Sequence, residues 1–242
     1  LQTARKEGLP HSTTYRGKIP RTTWTAYSTT EKGGEKMKNE KRLIIAARAV
    51  SLFFTPFYLP IVGMLVLFTF SFMSIFPTAY KLQVLAMVYF FTILMPTISI
   101  RLYRKYQGWT LIELGQRERR MVPYALSIAS YFACYYLFLR LHMPHFIGSI
   151  LLAALCVQMI CALINVVWKI STHSAAIGAV GGALFAFAEY LAFNPIWWLC
   201  LVFLVGGIVG TCRMILRQHS LGQIVGGFWI GFFVAAIIIL FI

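Results

Sequence analysis

The sequence predicts an all-α fold, a polytopic transmembrane helical bundle of about seven spans (six to seven). Three observations predict it. Hydrophobic residues fill 59% of the 242 positions and the mean hydropathy is +0.74, more apolar surface than a soluble domain of this size needs. They gather in runs of about 20 residues, the helix length that crosses a bilayer core. Only 12% of residues are charged, most of them in the N-terminal stretch or at the ends of the apolar runs, while the 18 Gly and the 16% aromatic content suit helices packed in lipid.

Residues 1–36 are polar, rich in Thr, Lys, Arg and Gly, and carry no helical or strand period. They lack the apolar core of a secretory signal, so a disordered basic tail extending to residue 42 is expected. Met37, opening Met-Lys-Asn-Glu-Lys-Arg, is a candidate native start, which makes 1–36 a candidate extension. The transmembrane domain is expected over 43–242. Its first apolar run, about Leu43–Phe76, is broken by Arg48, Pro56 and Pro60 and exceeds one straight span, so a lead-in segment followed by a kinked helix is expected. A second span covers Leu82–Ile100 with Pro96 inside, and a polar connector follows from Arg101 to Met121. Five more spans are expected at Val122–Leu141, Phe146–Trp168, Ser171–Ala192, Pro195–Met214 and Ser220–Ile242. Glycines recur four apart at Gly178/Gly182, Gly206/Gly210, Gly222/Gly226 and Gly227/Gly231, a spacing that lets helix backbones approach closely in lipid.

Charge is distributed unevenly. Ten of the 22 Lys and Arg lie within residues 1–43, giving much of the net +15. A basic margin on a hydrophobic body suits anionic lipid headgroups or phosphate ligands and is not a nucleic-acid signature. The chain has no Asp, and Glu only at 7, 31, 35, 40, 113, 118 and 189, which excludes chemistry built on an Asp-rich Mg²⁺ site. The five cysteines follow neither a disulfide nor a zinc spacing and read as small hydrophobes. Asn165 and Gln158 are expected to bond between helices, and His142 and His145 to be loop residues.

Two polar junctions stand out between spans: Lys169-Ile170-Ser171-Thr172-His173, and Thr211 to Gln223 with Arg213, Arg217 and His219. Ionisable groups beside the hydrocarbon are expensive and are functional-site hypotheses by default. Two spans separate the Arg101–Met121 connector from the first junction, and two separate the junctions, so all three stretches share one face of the membrane. That face pools Arg117, Arg119, Arg120, Lys169, Ser171, His173, Arg213, Arg217 and His219, while the other has little beyond Lys81, Arg140 and Glu189. Guanidinium forks and a lysine suit phosphate oxygens. Two histidines suit phosphoryl transfer, one attacking phosphorus and one protonating the leaving oxygen. Gln223, one helical turn beyond His219, is placed to accept the imidazole N–H and set its tautomer. Lys169 reads equally as pocket cation or interface anchor, and Arg217 as a snorkelling cation.

Arg213, five residues, then His219 and a polar residue four further on resembles the third signature of the type-2 phosphatidic-acid phosphatase superfamily. Ser171-Thr172-His173 resembles its second signature, about 40 residues upstream as in that family. The likeness runs from roughly Arg117 to Gln223 and extends to a bacterial branch in which Lys-Ile-Ser-x-His and Arg-x5-His occur together. It implies a haloperoxidase-like helical core in a bacterial inner membrane. It also implies a metal-independent, cofactor-free phosphatase of lipid phosphates or lipid and polyprenyl pyrophosphates. His219 would be the phosphorylated nucleophile, His173 the general acid, and Ser171 and Arg213 the phosphoryl-oxygen ligands. The first signature is absent as such, with Arg117 and Arg120 as the best stand-ins. Ile170 stands for the usual Pro, Cys212 for the usual Ser, and Gln223 for the expected Asp, with Glu113 or Glu118 as candidate substitutes. An amide orients an imidazole but does not stabilise an imidazolium as a carboxylate does. A catalytically weak relative that binds lipid phosphate, or a membrane carrier or scaffold, is therefore the alternative reading. The positive-inside tendency puts the shared face in the cytoplasm, while arginines kept for phosphate distort that count and many members of the resembled family work on the outer side, so both sides stay open.

Overall fold

Proline and the membrane interface shape the first half of the chain. The computed structural model describes residues 39–70, 72–108, 121–191 and 194–241, and no strand occurs among them. Helix α1 covers 39–53; a break and a 3-10 turn over Pro56–Tyr58 lead into α2, Leu59–Phe70. Pro56 forces the break, because the residue before a proline is driven to extended geometry, and Thr55 has φ −66 and ψ 136. The Thr55 hydroxyl donates to the Leu52 carbonyl at 2.7 Å, tying off the end of α1. The kinked first run is thus as expected. Residues 39–42, grouped with the tail on charge, are helical, and the rest of the tail lies outside the described residues.

Helix α3, Thr78–Tyr89, passes through a π-helical turn at Phe90–Leu94 into α4, Met95–Gln107. Pro96 has no N–H, and its ring meets the carbonyl of Thr92 four residues back; the wider turn relieves that clash. The buried Thr92 hydroxyl donates to Val88 at 2.7 Å. This helix corrects the expected boundaries of Leu82–Ile100. Arg101–Gln107, assigned to the connector, continues the helix as its interfacial end. Arg104 and Lys105 complement the carbonyl end of the dipole, and Gly108 closes it with φ 67.

The remaining helices are α5, Met121–Arg140; α6, His145–Val167; α7, Thr172–Leu191; α8, Ile196–Ile215; and α9, Leu221–Phe241. Each boundary falls within one residue of the expected one. Six helical stretches are long and apolar enough to cross a membrane: Asn39–Thr69, Thr78–Gln107, α5, α6, α8 and α9. They mark an integral membrane protein. Helix α7, expected as a seventh span, is outside that set; it opens on Thr-His-Ser and is rich in Gly and Ala. Its small residues serve close packing along α9.

The compact unit Leu43–Ile242 is organised around the pair α7 and α9. A Cβ on Gly178 or Gly182 would collide with the carbonyls of Phe228 and Phe232, and one on Gly231 with that of Ala175. A Cβ on Gly227 would sit 2.7 Å from the Ser171 carbonyl. Partners advance together along both helices, so α7 and α9 run parallel, backbone against backbone. Glycine is required here because any side chain would separate the chains. Gly206 and Gly210 take the Phe228 ring and the Ile224 side chain, while Gly222 has no neighbour within 4 Å. The main core, with Met64, Phe68, Val84, Val88, Phe138, Ile147 and Leu151, fills the space between α2, α3, α5 and α6.

The parallel pair decides the polarity of the bundle. At one end, the Ser171 N–H donates to the Gln223 carbonyl at 3.3 Å, joining the two polar junctions directly. The Asn165 amide approaches the Met121 sulfur at 3.8 Å, bringing the start of α5 to the same end. At the other end, Tyr190 donates to the Leu240 carbonyl at 2.7 Å and Tyr80 to the Met143 sulfur at 3.0 Å. The junctions therefore share a face, as the span count requires.

Candidate active site

Two tight backbone devices build the site. The first ends α8. The Gln218 N–H donates to the Arg213 carbonyl at 3.1 Å and the Arg217 N–H to that of Met214 at 2.8 Å. This is a Schellman closure with Arg217 in the left-handed position, φ 51. It reverses the chain in a few residues, so Arg213 in the last turn of α8 and His219 before α9 flank one corner. Both side chains are 6% exposed. Arg217 itself is exposed.

The second device opens α9. Ser220-Leu221-Gly222-Gln223 has the spacing of a capping box, in which a Gln at the third helical position reaches back to the cap residue's N–H. The Ser220 N–H donates to Gln223 Oε1 at 3.2 Å. The same oxygen lies 3.2 Å from His219 Nδ1. A main-chain N–H only donates, so the atom it faces is the amide oxygen and not the amide nitrogen. An oxygen only accepts, so Nδ1 carries the proton. The lone pair of the neutral imidazole is then on Nε2, which is buried. Gln223 thus serves the helix start and the imidazole with one atom, a capping role the residue pattern contains and the functional reading of Gln223 alone overlooks.

The α7 junction is pinned to this corner. Helix α6 ends at Val167, Trp168 is extended, and its ring packs 3.1 Å from where a Gly226 Cβ would be. Ile170 and Ser171 are fully buried, and Lys169 and His173 are half-buried. Ser171 caps α7: the Ser174 N–H approaches its Oγ at 3.4 Å and the two hydroxyls are 3.0 Å apart. Ser174, itself buried, is a site residue that sequence reasoning missed, although Ser171-x-x-Ser174 is a recognisable helix-start pattern. Ser171, Ser174, Gln223, His219 and Arg213 thus gather where α7 and α9 start side by side, and a helix N-terminus favours an anion.

The structure does not bring every candidate into view. Arg117, Arg119 and Arg120, with Glu113 and Glu118, lie outside the described residues. From Leu43 onward the one described carboxylate is Glu189, exposed near the far end of α7. Among the described residues no three His, Cys, Asp or Glu side chains group as a metal ion would require. The corner is furnished with donors: a guanidinium, hydroxyls, imidazoles and an ammonium.

Residues 167–242 match the PAP2 superfamily. The PAP2 match begins at the last residue of α6 and takes in α7, α8 and α9, so the glycine seam and both histidine junctions lie inside it. The α1–α5 portion lies outside it. No curated protein and no solved structure matches the chain.

Proposed function

We propose that the chain is a lipid-phosphate phosphatase of the bacterial membrane branch of the PAP2 superfamily, working through a phosphohistidine on His219. The observation that carries this reading is the shared Gln223 oxygen, which holds His219 as the Nδ1–H tautomer with its Nε2 lone pair as nucleophile. The PAP2 match over both junctions supports a phosphate-ester substrate. The phosphoryl group sits at the common N-terminal end of α7 and α9. Arg213 and the Ser171 hydroxyl hold its oxygens, with the Ser174 main-chain N–H donating to Ser171 Oγ. Lys169, Arg117 and Arg120 add positive charge, which a loose, highly charged transition state rewards.

The reaction runs in two steps. The Nε2 pair forms the N–P bond as the bridging P–O bond breaks, and His173 delivers a proton to the departing oxygen. Water then attacks phosphorus with His173 taking its proton, and the N–P bond returns its pair to Nε2. Purified protein in detergent is expected to release phosphate from a lipid phosphate or pyrophosphate, and His219→Ala to lose at least about 10³-fold in kcat. Labelled substrate should leave an acid-labile, alkali-stable phosphoenzyme in wild type and none in the variant. Lipid binding without phosphate release by wild type would overturn the enzyme reading. One observation favours the second reading, a lipid-phosphate-binding relative: the group behind His219 is an amide and not a carboxylate.

A further inference from the structure

We infer that a water molecule is bound in the middle of the bundle, held by Tyr131, Gln158 and Thr92 from three different spans. The site uses none of the histidine junctions and does not depend on the phosphatase reading. Tyr131 stands midway along α5 with no exposed surface. It lies roughly 15 Å from the start of that helix, the half-depth of a hydrocarbon core about 30 Å thick. Among the described residues its buried hydroxyl completes no hydrogen bond, and neither does the buried Oε1 of Gln158 on α6. The polar side chains that approach the hydroxyl are Gln158 and Thr92. Thr92 belongs to the π-helical turn and gives its one hydroxyl proton to the Val88 carbonyl at 2.7 Å, so toward Tyr131 it can only accept.

A donor and an acceptor thus approach each other without bonding, at a depth where bulk water does not relieve them. Buried polar groups are normally satisfied, and this pair needs a partner that both accepts and donates. Water does both. It accepts the Tyr131 O–H, gives one proton to Gln158 Oε1 and the other to Thr92 Oγ1, the three bonds usual for a buried water. An ion does not suit the place. Residues 82–100, 122–139 and 146–167 contain no Lys, Arg, His, Asp or Glu, and all three ligands are neutral. Gln158, expected to bond between helices, then does so through water. The same bridge pins the π turn that accommodates Pro96 to both α5 and α6.

Two measurements on the full-length protein in detergent test the site. Synchrotron hydroxyl-radical labelling generates radicals from waters where they sit. Tyr131 is expected to take up oxygen despite its burial, while Phe138, buried on the same helix, does not. Gln158→Leu, which removes one anchor, is expected to abolish most of the Tyr131 label. An unlabelled Tyr131 in wild type means a dry, direct contact and overturns the inference, as does a label unchanged in Gln158→Leu. The second measurement turns on a sign. Tyr131→Phe removes only the hydroxyl, and if that group holds water the unfolding midpoint should fall by about 2–4 °C. Gln158→Leu should fall similarly, and the double variant by less than the sum of the two. A midpoint raised by Tyr131→Phe means a bare hydroxyl and overturns the inference, because removing an unsatisfied buried group is stabilising. The wild-type label needs no variant, so poor folding of either one leaves the test intact.

Discussion

Arg217 holds a left-handed backbone conformation, φ 51, at a turn position where glycine is the usual occupant. For a residue with a Cβ that conformation costs roughly 1 to 2 kcal/mol. Arg217→Gly is therefore expected to stabilise the protein by about 1 kcal/mol, read as a higher unfolding midpoint in detergent, with the Schellman bonds at 213–218 kept. A lower midpoint would mean that the guanidinium makes contacts worth more than the strain. His142 occupies the same position after α5, φ 51, with the Met143 N–H donating to Phe138 at 3.0 Å. Neither turn is written in the residue types, because nothing about an arginine or a histidine announces positive φ. Gly108 after α4 is the case where the residue does.

At the scale of elements, the parallel contact of α7 with α9 decides where the histidines stand. Gly231→Ala and Gly178→Ala push a methyl into a backbone carbonyl that has no side chain to yield, and are expected to cost about 1–3 kcal/mol or more. Gly227→Ala presses on the Ser171 carbonyl at 2.7 Å and should lower activity as well as stability. Gly207→Ala, with nothing within 4 Å, is the control and should be neutral or slightly stabilising. Thermal unfolding of the four variants in one detergent checks the order. These glycines were legible as packing pairs, but not which pair met which, since a four-residue spacing marks a close face and does not name its partner. The Gly222/Gly226 pair belongs to no helix seam: Gly222 is open and Gly226 takes the Trp168 ring.

Over the whole molecule, the two ends of the bundle are chemically distinct. Substituted cysteines at exposed Gln107 and Gln218 are expected to react with a membrane-impermeant thiol reagent from one side, and one at exposed His142 from the other. Labelling of all three from one side would break the topology. Hydropathy and parity made α5 to α9 legible almost to the residue, because polar junctions and prolines punctuate them. The α3–α4 helix was legible only in its apolar middle, since Arg101, Arg104 and Lys105 read as connector while forming its interfacial turns. The meeting of the junctions was legible by counting, whereas Ser174 was hidden behind a capping pattern. The seam of Gly178, Gly182, Gly227 and Gly231 carries one more implication. A contact made of main chain has no rotamers to exchange, so α7 and α9 translate and tilt as a single rigid beam, with both histidines mounted at one tip. Any breathing at that tip falls to the ring-packed neighbour, α8, where Gly206 rests on the Phe228 ring.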